Sequence, residues 1–432
     1  MVQAWYDFTA NKNGWLGEKK LKKAFKTLLA TLIAALVVFS SSACVFAETT
    51  TVTAGKPELK FNSDGKFKVM MFNDTQDTDK TVKDTIKLIE SGLDQSKPDL
   101  VVLVGDNIAG YWIGVNEQKV AKAIDNIVKP INDRNIPFAV VFGNHDQESG
   151  VSKEKQMKMY MSYQYCLAVD EGSSLSNCGT YNLLIKDSKD EKNIFNIWMI
   201  DSGTSAKEGG YQSVNADQIA WYEKTSNELK AQNGGTPLPS LLFQHIPVPE
   251  IYDLCDVVPA ATTGAIKGYR AKSKNYYELN PKIAAGKLLE APCSPDQSSG
   301  EFDAWVKQGD VLGAYFGHDH VNDLKGTYKG IDLGYTPGSG FYLYGSGVYR
   351  GVRTFELNES DLLHYKTDVL YYKDLVSPIA DTTINDSYTN NELRIEIPML
   401  LAAIIVVMLV LLFAITLVRK IRRIRKKVKP AA

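Results

Sequence analysis

Histidine and cysteine are scarce in this chain of 432 residues, with five of each. No CxxC spacing occurs, which removes the usual argument for a zinc ribbon. No internal repeat and no low-complexity tract is present. Hydrophobic residues make up 44% and charged residues 23%, ordinary values for a globular protein. Collagen, coiled coil and wholesale disorder are thereby excluded. The length suits one large domain or two to three small ones.

Charge is missing from two stretches near the ends. After Lys19, Lys20, Lys22, Lys23 and Lys26, the apolar run Thr27–Phe39 leads into Ser40–Ala47, rich in small residues. That is the layout of a secretory signal. Val45 and Ala47 suit the small-residue cleavage pattern, so residues 1–47 are expected to be a signal peptide cut after Ala47; an uncleaved anchor helix is the alternative. Ser41 stands where a lipoprotein signal needs an aliphatic residue, which disfavours lipidation of Cys44. The second stretch, Ile397–Val418, carries no charge and can span a bilayer, where roughly 20 residues suffice. Arg419, Lys420, Arg422, Arg423, Arg425, Lys426, Lys427 and Lys429 follow it, and a basic flank marks the cytoplasmic side. The expectation is a single-pass protein of the cell membrane. Its extracellular part would comprise a linker at 48–65, a globular domain at 66–366 and a membrane-proximal stalk at 367–396. A transmembrane helix at 397–418 and a basic cytoplasmic tail at 419–432 would complete it.

Without the leader, Cys166, Cys178, Cys255 and Cys293 remain, an even number in an oxidising compartment. Pairing of sequence neighbours, Cys166–Cys178 and Cys255–Cys293, is the first expectation. Three pairings are possible, and free buried thiols are the alternative.

From Lys66 onward, short apolar runs alternate with helical patterns. Phe67–Phe72, Asp99–Val104, Phe138–Phe142, Phe195–Ile200, Ser240–Phe243 and Val311–Phe316 read as strands, apolar on both faces and therefore buried. Val82, Ile86, Ile89 and Leu93 recur at helical spacing, as do Val120, Ile124, Ile127 and Ile131; Asp217–Leu229 is a third helix. This alternation predicts an α/β layered domain. Val248–Phe302 reads as an irregular insertion near the site. Gly334–Gly351, rich in Gly and Tyr, suggests hairpins.

Polar residues cluster where five of the strands stop: Asn73-Asp74-Thr75-Gln76-Asp77, Gly105-Asp106-Asn107, Gly143-Asn144-His145-Asp146, Gln244-His245 and Gly317-His318-Asp319-His320. Ligand sites in α/β sheets form beyond the carboxyl ends of strands, so these segments can converge. Four of the five histidines lie in them, and only His364 lies elsewhere. Imidazole with carboxylate is a ligand set for Zn, Fe or Mn. The glycines before Asp106, Asn144 and His318 suit tight turns that bring backbone close to an ion.

Taken in order, these segments resemble the DxH, GD, GNHD/E, lone-His and GHxH pattern of the calcineurin-like metallophosphoesterase family. The strings GDNI, GNHDQES, QHIPVPE and GHDHVND are similar to its purple-acid-phosphatase-related branch. The resemblance covers roughly Lys66 to Arg353. It implies a four-layer α/β sandwich, with two mixed β-sheets flanked by helices. It implies two divalent or Fe/Zn/Mn-type metal ions bridged by Asp106, one bound by Asp74 and His320, the other by Asn144, His245 and His318. His145 would contact the phosphoryl group and assist the leaving oxygen, with Asp146 accepting its other ring proton. The implied reaction is hydrolysis of a phosphate ester by a water or hydroxide held between ions roughly 3.5–4 Å apart. No covalent enzyme intermediate is needed.

Gln76 departs from this pattern, standing where the family has the His of DxH. A carboxamide oxygen is a harder, weaker ligand than imidazole. Gln76 can coordinate through oxygen, favouring Mn or Mg; it can orient a water; or it can leave the first ion loosely held. Asp77 is badly placed to compensate, since adjacent residues usually point apart. Ala109 occupies the Tyr position of GDxxY, so no Fe–tyrosinate centre is expected. Two functions follow: an extracellular phosphoesterase, or a catalytically weak metal-containing binding module for a phosphorylated ligand or partner. Between residues 48 and 418 the chain carries 35 basic and 48 acidic residues, a net of −13, which argues against binding of nucleic-acid polymers. Tyr111, Trp112, Tyr335, Phe341, Tyr342, Tyr344 and Tyr349 are candidates to line a pocket or to pack, and Arg350 and Arg353 to meet a second phosphate.

Overall fold

The computed structural model describes residues 55–170 and 174–376, together with Ile405 and residues 407–410. Its elements in chain order are β1 (Leu59–Lys60), β2 (Lys66–Phe72), α1 (Lys83–Ser96), β3 (Leu100–Val104), α2 (Glu117–Asn132), β4 (Phe138–Val141), α3 (Lys153–Met161), β5 (Tyr181–Lys186), β6 (Asn193–Ile200), α4 (Ala216–Gln232), β7 (Ser240–Gln244), β8 (Cys255–Val258), β9 (Ile266–Lys267), β10 (Tyr276–Leu279), β11 (Ala284–Ala285), α5 (Glu301–Gln308), β12 (Val311–Phe316), β13 (Lys325–Tyr328), β14 (Ile331–Tyr335), β15 (Gly351–Asn358), β16 (Tyr365–Tyr371) and α6 (Tyr372–Leu375).

Two mixed sheets result. One has five strands in the order β16-β15-β2-β3-β4, the other eight in the order β1-β5-β6-β7-β12-β14-β13-β11. The centres are parallel: β2, β3 and β4 in the first sheet, β6, β7, β12 and β14 in the second. The period of two explains how both faces are buried. Ile197, Met199, Leu241 and Phe243 join the core shared with the five-stranded sheet. Their neighbours Trp198, Ile200 and Leu242 join a second core with Tyr222 and Leu229 of α4 and Phe302 and Trp305 of α5. Leu88, Ile89 and Leu93 of α1 and Val120, Ile124, Ile127 and Ile131 of α2 complete the first core. The order of layers is helix, sheet, sheet, helix. Full burial of each such side chain contributes about 1.5–3 kcal/mol.

Caps fix where the helices start. Asn116 accepts from Lys119 N and opens α2. The Asp77 carboxylate accepts from Val82 N at 3.1 Å and Thr85 Oγ1 at 2.7 Å, so it anchors the start of α1. Asp77 is thereby committed away from the ligand cluster. A buried polar junction fastens α4 to its sheet: Asp310 accepts from Trp198 Nε1 at 2.9 Å and Tyr222 OH at 2.6 Å.

Several expectations are corrected. The insertion after Val248 contains a small antiparallel sheet, β8-β10-β9. Residues 336–346 form no hairpin; their amides pair with the site loops instead, Gly338 N with His320 O, Ser339 N with Asn73 O and Gly340 N with Asp74 O. Sheet pairing runs past the sequence limits at both ends, since β1 pairs with β5 and β16 pairs with β15 as far as Tyr371. Cys166, Cys178, Cys255 and Cys293 are free, so neither expected disulfide forms. Cys293 Sγ donates to Ala291 O, and Cys178 Sγ faces Asp170.

The leader, the tail and nearly all of Ile397–Val418 lie outside the described residues. Of that run, Ile405 and residues 407–410 are helical and exposed. Among the described residues, no helix is long and apolar enough to cross a membrane.

Candidate metal centre

The parallel strands of both sheets end at one place. Asp74 and Gln76 follow β2, Asp106 follows β3, Asn144 follows β4, His245 follows β7, and His318 and His320 follow β12. All seven are buried. Asp74, Gln76, Asp106 and His318 have positive φ, between 33° and 75°, a region that non-glycine residues rarely occupy and that clusters at functional sites. The loops brace one another. Asp74 N donates to Gly105 O, Gln76 N to Asp106 O, and Gly105 N to Val141 O. His318 N donates to Asp74 Oδ2 at 2.9 Å.

The three glycines play a part that the sequence only half suggests. A Cβ on Gly105 would meet the His245 ring at 2.5 Å, one on Gly143 would strike the Asp106 carboxylate, and one on Gly317 would meet Asp74 Oδ2 at 2.8 Å. Each glycine makes room for a neighbouring polar side chain of the cluster.

Backbone carbonyls set the two imidazole tautomers. His245 Nδ1 donates to Val104 O at 3.0 Å, and His320 Nδ1 donates to Tyr344 O at 2.9 Å. A carbonyl only accepts, so Nε2 of each ring is left to face the cluster. His245 Nε2 lies 3.1 Å from Asp106 Oδ2, and His320 Nε2 lies 3.2 Å from Asp74 Oδ1. Those contacts have ion-pair distance without hydrogen-bond alignment, because Asp74 Oδ1 and His245 Nε2 are left without a hydrogen-bond partner. Gln76 Oε1, Asn144 Oδ1 and His318 Nε2 are likewise buried and unpartnered. Five orphaned acceptor-type atoms at one spot are costly unless a cation satisfies them. Ligand atoms of Asp106, His245 and His318 all lie within 4.8 Å of one another. The residues present therefore fit metal binding.

Electrostatics agree. Burial alone would lower the His245 pKa, but the charges of Asp106 and then Asp74 raise it to about 10. Burial would raise both carboxyls; the His320 charge holds Asp74 low and the His245 charge holds Asp106 low. Burial, then the His245 charge, depresses His318 to about 3. A cation would take the place of the proton on His245 and use the free base of His318.

Gln76 does not face the cluster only through its oxygen. Its Nε2 donates to Asp106 Oδ2 at 3.0 Å. The role expected of Asp146 is overturned. Its carboxylate accepts from Asn107 N, Ile108 N and Gly143 N, and so holds the loops together. Glu148 takes the His145 ring instead, at 2.7 Å from Nδ1. The cause is local: the turn Asp146–Ser149 is a 3₁₀ helix, in which residues three apart eclipse. Glu148 could have been found in the sequence by that spacing. The His145 amide meanwhile donates to Asp106 Oδ1 at 2.8 Å.

Arg350 and Arg353 meet no open surface. Both are buried, Arg350 on Leu343 O and Tyr344 O, Arg353 on Tyr335 O and Asp323 O. Trp112, Tyr335 and Tyr342 are core residues. Tyr344 lies flat on His320, with centroids 4.1 Å apart and planes 8° apart, and its hydroxyl donates to Glu290. It supports a ring of the cluster.

With this geometry, the chain belongs to the calcineurin-like phosphoesterase family, whose sequence profile matches residues 67–322. Its relatives include proteins named as purple acid phosphatases. It is 31% identical to "probable inactive purple acid phosphatase 14" of Arabidopsis thaliana, over 70% of this chain and 78% of that protein. It is 27% identical to the phosphatase DCR2 of Saccharomyces cerevisiae, over 73% of this chain and 56% of that protein. Among solved structures, a dimetal phosphatase from Danio rerio aligns with a TM-score of 0.43 and 11% identity, over 71% of this chain and 99% of that one.

Proposed function

We propose that the chain is an extracellular, membrane-anchored, metal-dependent hydrolase of phosphate esters. The observation that carries this reading is the set of five buried, unpartnered acceptor-type atoms at the strand ends. Asp106 would lie between two cations, with Asp74, Gln76 and His320 on one and Asn144, His245 and His318 on the other. Two cations bound there would neutralise phosphoryl oxygens and activate a water at neutral pH. The carboxamide of Gln76 suits Mn or Mg. The leader at 1–47 and the apolar run at 397–418 support the placement outside the membrane.

The chain's own residues do the rest. His145 is half-buried, its amide tied to Asp106 and its Nδ1 to Glu148. Its Nε2 is thus the end available to an ester. Burial would lower its pKa, but Asp106 and Glu148 raise it. Of the two, Glu148 is not among the residues that would hold a cation, so its carboxylate is the group that favours a proton on a ring able to protonate a leaving oxygen. Glu148→Gln is expected to lower kcat roughly 10-fold, a fraction of the roughly 10²–10⁴ of general acid catalysis. It should also shift the alkaline limb of the pH profile to lower pH, because less negative charge holds the proton on. An unmoved limb would remove Glu148 from this role.

A second reading is favoured by Gln76 and by the relatives named inactive: a metal-containing module that binds a phosphorylated ligand or partner. Turnover of an aryl phosphate and an aryl phosphodiester with added Mn, Zn, Fe or Mg separates the two. Hydrolysis that His318→Ala removes supports the enzyme. Phosphate-ester binding without hydrolysis under every metal supports the module.

A further inference from the structure

Tyr211 and Tyr269 lie beside the metal centre and belong to none of the groups that would hold it. Tyr211 sits in the turn between β6 and α4, and Tyr269 in the insertion, next to β9. The Tyr211 ring stands perpendicular to His318, with centroids 4.2 Å apart and planes at 88°. Tyr269 continues from it, with centroids 5.9 Å apart and planes at 30°. Both rings are half-buried, so each keeps some surface open to solvent.

The pair is firmly held. Ala206 N donates to Gly210 O, and Gln212 N to Thr204 O, which close the turn. Its base is moored to the loop that carries Asn144: Gln147 Nε2 donates to Thr204 Oγ1 at 3.0 Å, and Thr204 Oγ1 to Asn144 O at 3.4 Å. Its tip is moored to the insertion. The Arg270 guanidinium packs so closely on Gly209 and Gly210 that a Cβ on either would meet it at 2.9 or 2.7 Å. Arg270 Nε is fixed by Asp296 at 3.0 Å, and Tyr269 N donates to Tyr252 OH at 2.9 Å. Rigid aromatic side chains of this kind offer contact area at low entropic cost. Tyr211 also lies against the imidazole whose unpartnered Nε2 faces the cluster.

Resting on the phosphoesterase reading, we propose that Tyr211 and Tyr269 form an aromatic wall for the organic group of the ester, selecting phosphate esters of planar aryl or heteroaryl alcohols over those of small alkyl alcohols. A phosphoryl group at the cation that His318 would hold would place a ring attached to it within reach of Tyr211, which packs on that imidazole. Ring–ring contact is worth about 0.5–1.5 kcal/mol beyond area burial, which corresponds to a preference of up to about 10-fold.

The test uses the full chain with manganese, and orthophosphate, methylphosphonate and phenylphosphonate as non-hydrolysable probes in calorimetry. The expected result is phenylphosphonate binding about 10-fold tighter than methylphosphonate. The ratio should fall towards one in Tyr211→Ala and in Tyr269→Leu, which keeps bulk without a planar face, and should survive in Tyr211→Phe. Equal affinities for the two phosphonates, or a ratio unchanged in both the Ala and the Leu variants, overturn the wall while orthophosphate binding stands. Orthophosphate that fails to bind overturns the phosphoesterase reading together with the wall.

Discussion

Asp106→Asn is expected to cost on the order of 10³-fold in kcat/KM for any phosphate ester the chain hydrolyses, since Lewis-acid stabilisation is worth several kcal/mol and each 1.36 kcal/mol is tenfold. Metal content should fall with it. The substitution keeps the shape of the side chain, so the loss comes from charge and hydrogen bonding. Asp106 Oδ1 accepts from the His145 amide, and Oδ2 accepts from Gln76 Nε2 with His245 Nε2 beside it. Both of its hydrogen-bond partners, the His145 amide and Gln76 Nε2, are donors. An asparagine must set its NH₂ against one of them, leaving buried donors facing each other. Turnover within 10-fold of the parent, with metal retained by elemental analysis, would show that Asp106 does not bridge two ions.

Gln76→His should act in the opposite direction. The present side chain uses its amide to occupy Asp106 Oδ2, while its own oxygen is buried without a partner. An imidazole there offers a stronger nitrogen ligand and frees a lone pair of Asp106. A gain of about 1.4 kcal/mol in ion binding is tenfold in affinity, so a second ion should appear in a calorimetric titration where the parent holds it weakly, and kcat should rise. A folded variant with unchanged stoichiometry would mean that Gln76 is not what limits the first position.

Much of this was legible because strand ends concentrate chemistry. The apolar runs before Asp74, Asp106, Asn144, His245 and His318 are buried on both faces and recur in β2, β3, β4, β7 and β12. The polar residues after them could hardly avoid one another. What escaped depends on short-range geometry or on distant partners. Glu148 was hidden because a 3₁₀ turn, not a loop of no fixed period, follows His145. Asp146 is not free for His145 because its carboxylate is taken by two backbone amides of the loop after β3 and one of its own loop. Arg350 and Arg353 carry charge in the sequence, yet the carbonyls of the glycine-rich segment bury them. Tyr211 and Tyr269 are far apart in the chain, and contacts between distant segments, among them Arg270 packed on Gly209 and Gly210, hold them side by side.

The strand ends also divide the site by origin. Asp74, Gln76, Asp106 and Asn144 come from the five-stranded sheet, and His245, His318 and His320 from the eight-stranded one. Oxygen donors therefore sit on one half of the sandwich and nitrogen donors on the other. An ion held by both sets would act as a rivet across the seam. Any excursion that slides the sheets apart would then have to release it, at a cost of about 2.7 kcal/mol when free metal is 100-fold above its dissociation constant. On the proposed function, such an ion would add a polar fastening to the apolar core that the two sheets share, and a chelator would remove it.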